Sequence, residues 1–190
     1  MVRKWSSGIW SAMVALAASA VLVACGGGGN DSPAPAQMGT LRVALTDAPN
    51  CRVANDDLAK VYVTVERVRV HQSADAEASS GGWTDMAINP AKRLNLLDLT
   101  NGRLEELGTT PIPAGNYTQV RLVLSGNQGS STANALVLAG ETAEIPLRTP
   151  SAAQSGLKII HPFTVQPNTL VDLIIDFDAC RSIVALGNGG

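Results

Sequence analysis

The stretch Val61-Tyr62-Val63-Thr64-Val65-Glu66-Arg67-Val68-Arg69-Val70-His71 places valine at every second position up to Val65, and again at Val68 and Val70. Alternation sends successive side chains to opposite faces of an extended chain, so the valines mark the buried face of a β-strand. The phase changes across Glu66-Arg67, as one extra residue in the strand would cause, and a β-bulge is expected there. Upstream, Leu41, Val43 and Leu45 alternate with Arg42 and Ala44 in the same way. Further strands are expected over residues 83–88, 93–99, 117–124, 135–138, 142–147, 157–165, 170–177 and 182–186, with one helical turn at 55–60. No sustained helical stripe occurs. Short strands separated by Gly, Pro, Asn and Ser clusters predict a single antiparallel sandwich or barrel. Loops 74–82 and 126–134 are polar and built of small residues, and are expected to be mobile.

The chain has 190 residues, 14 Lys+Arg against 16 Asp+Glu, a net charge of -2, and 45% hydrophobic residues. That composition describes one folded domain. It has no clustered basic stripe to neutralise phosphates, so nucleic acid is not an expected partner. Three cysteines are too few for a disulfide-rich scaffold.

Arg3 and Lys4 precede an uncharged apolar run, residues 12–23, that ends in Leu22-Val23-Ala24-Cys25. The run is short for a membrane span, and its form is that of a signal peptide. Its last four residues resemble the lipobox of bacterial lipoproteins. The resemblance implies cleavage after Ala24, a diacylglyceryl thioether on Cys25 and a further acyl chain, such as palmitate, on the freed amine. Several chains make anchoring stable where one is marginal. In a Gram-negative bacterium, the resemblance with Gly26 in place of Asp after the lipidated cysteine implies the outer membrane. Residues 1–24 are thus the expected signal peptide, 25–39 the lipidated cysteine and a flexible Gly/Pro/Ser tether, and 40–190 the folded domain.

Several segments together resemble a known family. They are Leu45-Thr46-Asp47-Ala48-Pro49, Val63 through His71, Leu96-Leu97-Asp98-Leu99-Thr100-Asn101-Gly102, Ile112 through Leu122, Thr149-Pro150-Ser151 with Ser155-Gly156-Leu157-Lys158, and Asp176-Phe177-Asp178 with Ser182-Ile183-Val184. In this order they resemble the bacterial lipoprotein family of domain of unknown function 4382. That resemblance supplies no reaction, substrate or catalytic residue. The resemblance implies a further strand beyond the Gly-Asn turn, whereas this sequence stops at Gly190: either the chain is truncated or that strand is absent, and its loss would leave a sheet edge unpaired. Pro113-Ala114-Gly115-Asn116-Tyr117 is also similar to the loop-to-strand turn of prealbumin-like sandwiches, with Gly115 able to take φ > 0 and Tyr117 able to cover the sandwich end. The expected fold is therefore all-β, an immunoglobulin- or prealbumin-like antiparallel β-sandwich.

With Cys25 lipidated, Cys51 and Cys180 form an even pair in an oxidising compartment, and a disulfide between them is expected. Asp47 lies four residues before Cys51, and Asp176 and Asp178 lie four and two before Cys180, so the bridge would bring three carboxylates closer. Ca²⁺ suits such an oxygen cluster. The same residues suit a solvated strand face or the capping of loop amides. No Asp-x-Asp-x-Asp-Gly loop is present.

Ser155-Gly156-Leu157-Lys158 spells S-x-x-K, but on a strand that spacing sends the two side chains to opposite faces. His71 and His161 lie in no zinc motif, and no G-x-S-x-G elbow occurs. Trp83, beside the Ser-Gly-Gly loop, is a candidate ligand contact or, alternatively, a core anchor. These readings give the expectation of a non-enzymatic, lipid-anchored envelope protein that binds a protein or glycan or serves in assembly. The alternatives are a hydrolase with a loop-built site and a Ca²⁺-stabilised surface adhesion module.

Overall fold

The computed structural model describes residues 36–47, 52–53 and 56–184. Strand β1 (Met38–Thr46) is followed by β2 (Arg52–Val53), β3 (Asp56–His71), β4 (Thr84–Asn95), a 3-10 turn (Leu96–Leu99), β5 (Glu105–Pro113), β6 (Gly115–Leu124), β7 (Ala135–Leu138) and β8 (Ile145–Pro146). Helix α1 (Pro150–Gln154), β9 (Leu157–Val165), β10 (Leu170–Asp176) and helix α2 (Ala179–Ser182) complete the order. A three-stranded sheet runs β10-β1-β5, and a seven-stranded sheet runs β8-β7-β3-β6-β9, with β2 and β4 also paired to β3. The fold is an all-β sandwich.

The valine pattern of β3 is what joins the two layers. Val61, Val63, Val65, Val68 and Val70 are all buried, and the register shifts between Val65 and Arg67 against both β4 and β6. The expected bulge is there, and it keeps both halves of a sixteen-residue strand facing the core. From the smaller sheet Leu41, Val43 and Leu45 of β1, Ile112 of β5, and Leu173 and Ile175 of β10 join the same cluster. Tyr117, Val120, Leu122 and Leu124 of β6 complete it.

One strand pair departs from the antiparallel pattern. β1 and β10 run parallel, from Thr40 opposite Leu170 to Thr46 opposite Asp176. Parallel neighbours need a long crossover, and here β2 to β9 supply it. Residues 56–60, expected as a helical turn, extend β3, because Leu58 and Lys60 pair with Leu138 and Val137 of β7. Strand β5 lies outside the expected strands; it is an edge strand, where the missing N–H of Pro111 and Pro113 is tolerated, and it buries Leu107 and Ile112. Residues 179–182 form α2 in place of the start of a strand at 182. The domain begins at Met38, and Gly39 is buried, not part of the tether. A Cβ there would lie 2.5 Å from Val165 and 2.6 Å from the Gln166 carbonyl oxygen, so only glycine fits.

At one end of the sandwich Tyr117 stacks on Phe163 at 5.3 Å and donates its hydroxyl to Pro113 O at 2.8 Å. Gly115 has no positive φ; it leaves room for Gln72, whose Nε2 would lie 2.9 Å from a Cβ. Burial raises the Tyr117 phenol above its ordinary value. The neutral form is therefore favoured by folding, so this contribution is complete below about pH 10 and is lost as pH rises further. Tyr117→Phe is expected to lower stability by about 1 kcal/mol at neutral pH. Denaturant melts repeated at about pH 10.5 should show the gap between wild type and variant narrowing.

Candidate functional site

On the outer face of the larger sheet, polar side chains follow one cross-strand row. Asp85 of β4 stands opposite Arg69 of β3, Arg69 opposite Arg121 of β6, and Arg121 opposite Lys158 of β9. Two arginines directly opposite one another repel. Asp85 accepts from Arg69 Nε at 2.6 Å, and the Trp83 ring lies 4.8 Å from the Arg69 guanidinium and 5.3 Å from that of Arg121. The negative face of the indole offsets part of the repulsion. Trp83 is half-buried and lies outside the core cluster; its Nε1 donates to Glu77 O at 3.0 Å, and His71 sits against it at 5.0 Å.

These residues hold the 72–82 loop. Arg121 is buried and donates from Nη1 to Ser155 O at 2.9 Å and from Nη2 to Ala76 O at 3.0 Å, while Gln119 Nε2 also donates to Ala76 O at 2.8 Å. Arg69 donates to Ala78 O at 2.9 Å. Ser73 N–H donates to His71 Nδ1 at 2.8 Å, which places the ring proton on Nε2, where it meets Gly81 O at 3.0 Å. A segment whose sequence reads as mobile is pinned at Ser73, Ala76, Glu77, Ala78 and Gly81.

The second polar loop, 126–134, is closed by two asparagines. Fully buried Asn134 accepts from Thr64 N–H at 3.0 Å and donates to Ser125 O at 2.6 Å and Thr149 Oγ1 at 3.2 Å. Asn127 Nδ2 donates to Asn134 O and Leu147 O, both at 3.0 Å. This network fixes one wall of an open groove of about 670 Å³ between residues 126–127, 145–150 and 153–154. Ile145, Pro146, Leu147, Pro150 and Ala153 give it apolar walls, Asn127, Thr149 and Gln154 add neutral polar groups, and Arg148 is the one charged lining residue. Ile145 is 45% exposed there.

The three candidate carboxylates approach one another through the parallel β1/β10 pairing but do not converge on one point. Asp47 Oδ1 accepts from Ala179 N–H at 3.0 Å, Asp178 caps α2 by accepting from Arg181 N–H at 3.0 Å, and Asp176 is exposed on β10. Among the described residues no group of three or more His, Cys, Asp and Glu is placed to hold a metal ion. Ser155 ends α1, its Oγ donating to Ser151 O, while Lys158 projects exposed from β9, so S-x-x-K forms no nucleophile pair. His161 is exposed in β9. Cys25, Cys51 and the side chain of Cys180 lie outside the described residues.

A family model described as domain of unknown function DUF4382 matches residues 38–190. The chain belongs to that family. The DUF4382 match begins where β1 begins, at Met38. No curated protein and no solved structure matches the chain. Within this DUF4382 domain, Gln119, Arg121, Asn127 and Asn134 are the residues that sequence reasoning missed. The one available signal was Gln119 and Arg121 interrupting the apolar run that ends β6, a pair that alternation alone assigns to solvent.

Proposed function

We propose that the chain is a lipid-anchored protein of the bacterial cell envelope, at the outer membrane, whose sandwich binds or assembles with an envelope protein or glycan and carries no reaction. The observation that carries the binding part is the groove beside α1. Its mainly apolar walls, one of them fixed by the asparagine network, and its single charged residue, Arg148, suit retention of a ligand. Anchoring is supported by Leu22-Val23-Ala24-Cys25 and the Gly/Pro/Ser segment that follows.

Intact mass of the membrane-extracted protein tests the anchor. The expected species lacks Met1 to Ala24 and carries acyl chains on Cys25; retention of those residues would sink the anchoring reading. The binding reading fails if the purified protein hydrolyses an ester, peptide or glycoside and a single side-chain substitution abolishes the activity.

A further inference from the structure

We propose that the outer edge of β10 is a docking site for an extended peptide segment in which apolar residues alternate with lysine or arginine. This surface is separate from the groove beside α1, so either can fail without the other.

The edge strands of the sandwich are treated unequally. β4 contains Pro90, β5 contains Pro111 and Pro113, β8 contains Pro146, and β9 contains Pro162 beside a break in its pairing with β6. Proline at an edge removes the donor that a foreign strand would use. β10, Leu170-Val171-Asp172-Leu173-Ile174-Ile175-Asp176, contains no proline, lysine or glycine and pairs with β1 over seven consecutive residues without a shift. Among the described residues its other side pairs with no strand.

The direction of its backbone groups follows from two bonds. Phe177 N–H donates to Thr46 O and Thr40 N–H donates to Thr169 O, so the odd-numbered residues face β1. By alternation, the N–H and C=O groups of Leu170, Asp172, Ile174 and Asp176 point away from it. The added strand would have main-chain partners at every second residue, as strand addition requires.

Side chains supply the selectivity. Leu170 and Ile174 of β10 and Ile160 of β9 are each more than half exposed. Between the two edges Ile159, Ile160, Leu173, Ile174 and Ile175 line a cleft of about 220 Å³ that fits alternate apolar side chains of an incoming strand. Asp172 is held by Arg42 at 2.5 Å, and that guanidinium keeps its carboxyl below the usual carboxylate range, by hydrogen bond first and charge second. Exposed Asp176 borders the cleft, and Glu106 shares a second hollow with Ile174 and Leu104. Arg42 balances Asp172 and His161 also lines the cleft, so the acidic excess comes from Asp176 and Glu106, and it favours a basic complement. Self-pairing of two β10 edges would instead gather the aspartates of both copies on one face.

The test uses the purified chain with the peptide acetyl-Lys-Val-Lys-Val-Lys-Val-Lys-amide, read by fluorescence anisotropy and residue-resolved amide exchange. Binding is expected, with new protection at Leu170, Asp172, Ile174 and Asp176 and little change at Val171, Leu173 and Ile175. Asp176→Lys, an exposed position, should weaken binding by about tenfold or more. Ile174→Pro should abolish it without unfolding, because that N–H faces away from β1. The proposal is overturned if the peptide does not bind, if its glutamate counterpart binds equally well, or if protection falls on the odd residues. It is also overturned if the even-residue amides are protected without peptide, either in step with protein concentration, as a second copy would do, or until residues 185–190 are deleted.

Discussion

Arg121→Leu is expected to lower the free energy of unfolding by about 3 kcal/mol and to open two distant segments together. Arg121 crosses from β6 to Ala76 O in the 72–82 loop and to Ser155 O at the end of α1. Leucine fills much of the volume but donates nothing, so Ser155 O is left without this donor, and two charge-assisted hydrogen bonds at roughly 1.5 to 3 kcal/mol each are lost. Ala76 O keeps its bond from Gln119, which limits the damage on that side. The stacking of the Arg121 guanidinium on Trp83 is also lost, at about 0.5 to 1 kcal/mol. Relief from burying a cation, whose Nε has no hydrogen-bond partner among the described residues, offsets part of the sum. Urea melts would measure the loss, and limited proteolysis should cut within residues 74–82 in the variant while sparing the wild type. Arg121→Lys keeps the charge without the planar fork, so it should fall between the two. A variant as stable and as protease-resistant as wild type would show that the loop holds itself.

For the proposed Cys51–Cys180 bridge, reduction or Cys51→Ser is expected to cost about 4 kcal/mol. The bridge is a proposal that rests on the even pair left once Cys25 carries lipid, in an oxidising compartment. The loop closed would be long, and restricting so long a loop in the unfolded chain contributes about 4 to 5 kcal/mol in the entropy model, less any native strain. Urea melts with and without reductant should therefore differ for wild type and coincide for Cys51→Ser. Two free thiols in the non-reduced protein, or melts indifferent to reductant, would remove the bridge.

Legibility of the sequence followed the range of the interactions involved. Alternation in β3, including the change of phase at Glu66-Arg67, needed no partner to be read, because the side-chain period of an extended chain is local. β7 and β9 were readable with both boundaries for the same reason. The family was readable from ordered short motifs. β5 was not, since its two prolines argue against a strand until its edge position is known. The first turns of β3 were not readable either, because pairing with β7 overrides their local preference.

The candidate sites divide along the same line. By itself the sequence determined the β-sandwich class, the bulge, the family and the residue types available at each position. Tertiary structure alone decided what those residues do. It set Trp83 between two arginines, turned Gln119 and Arg121 into loop anchors, engaged Asp47 and Asp178 with backbone amides, and left β10 as an edge strand without proline. The physical reason is that a side chain's periodicity is set by its own backbone, whereas its hydrogen-bond partner, its burial and the freedom of its strand edge depend on segments tens to more than a hundred residues away.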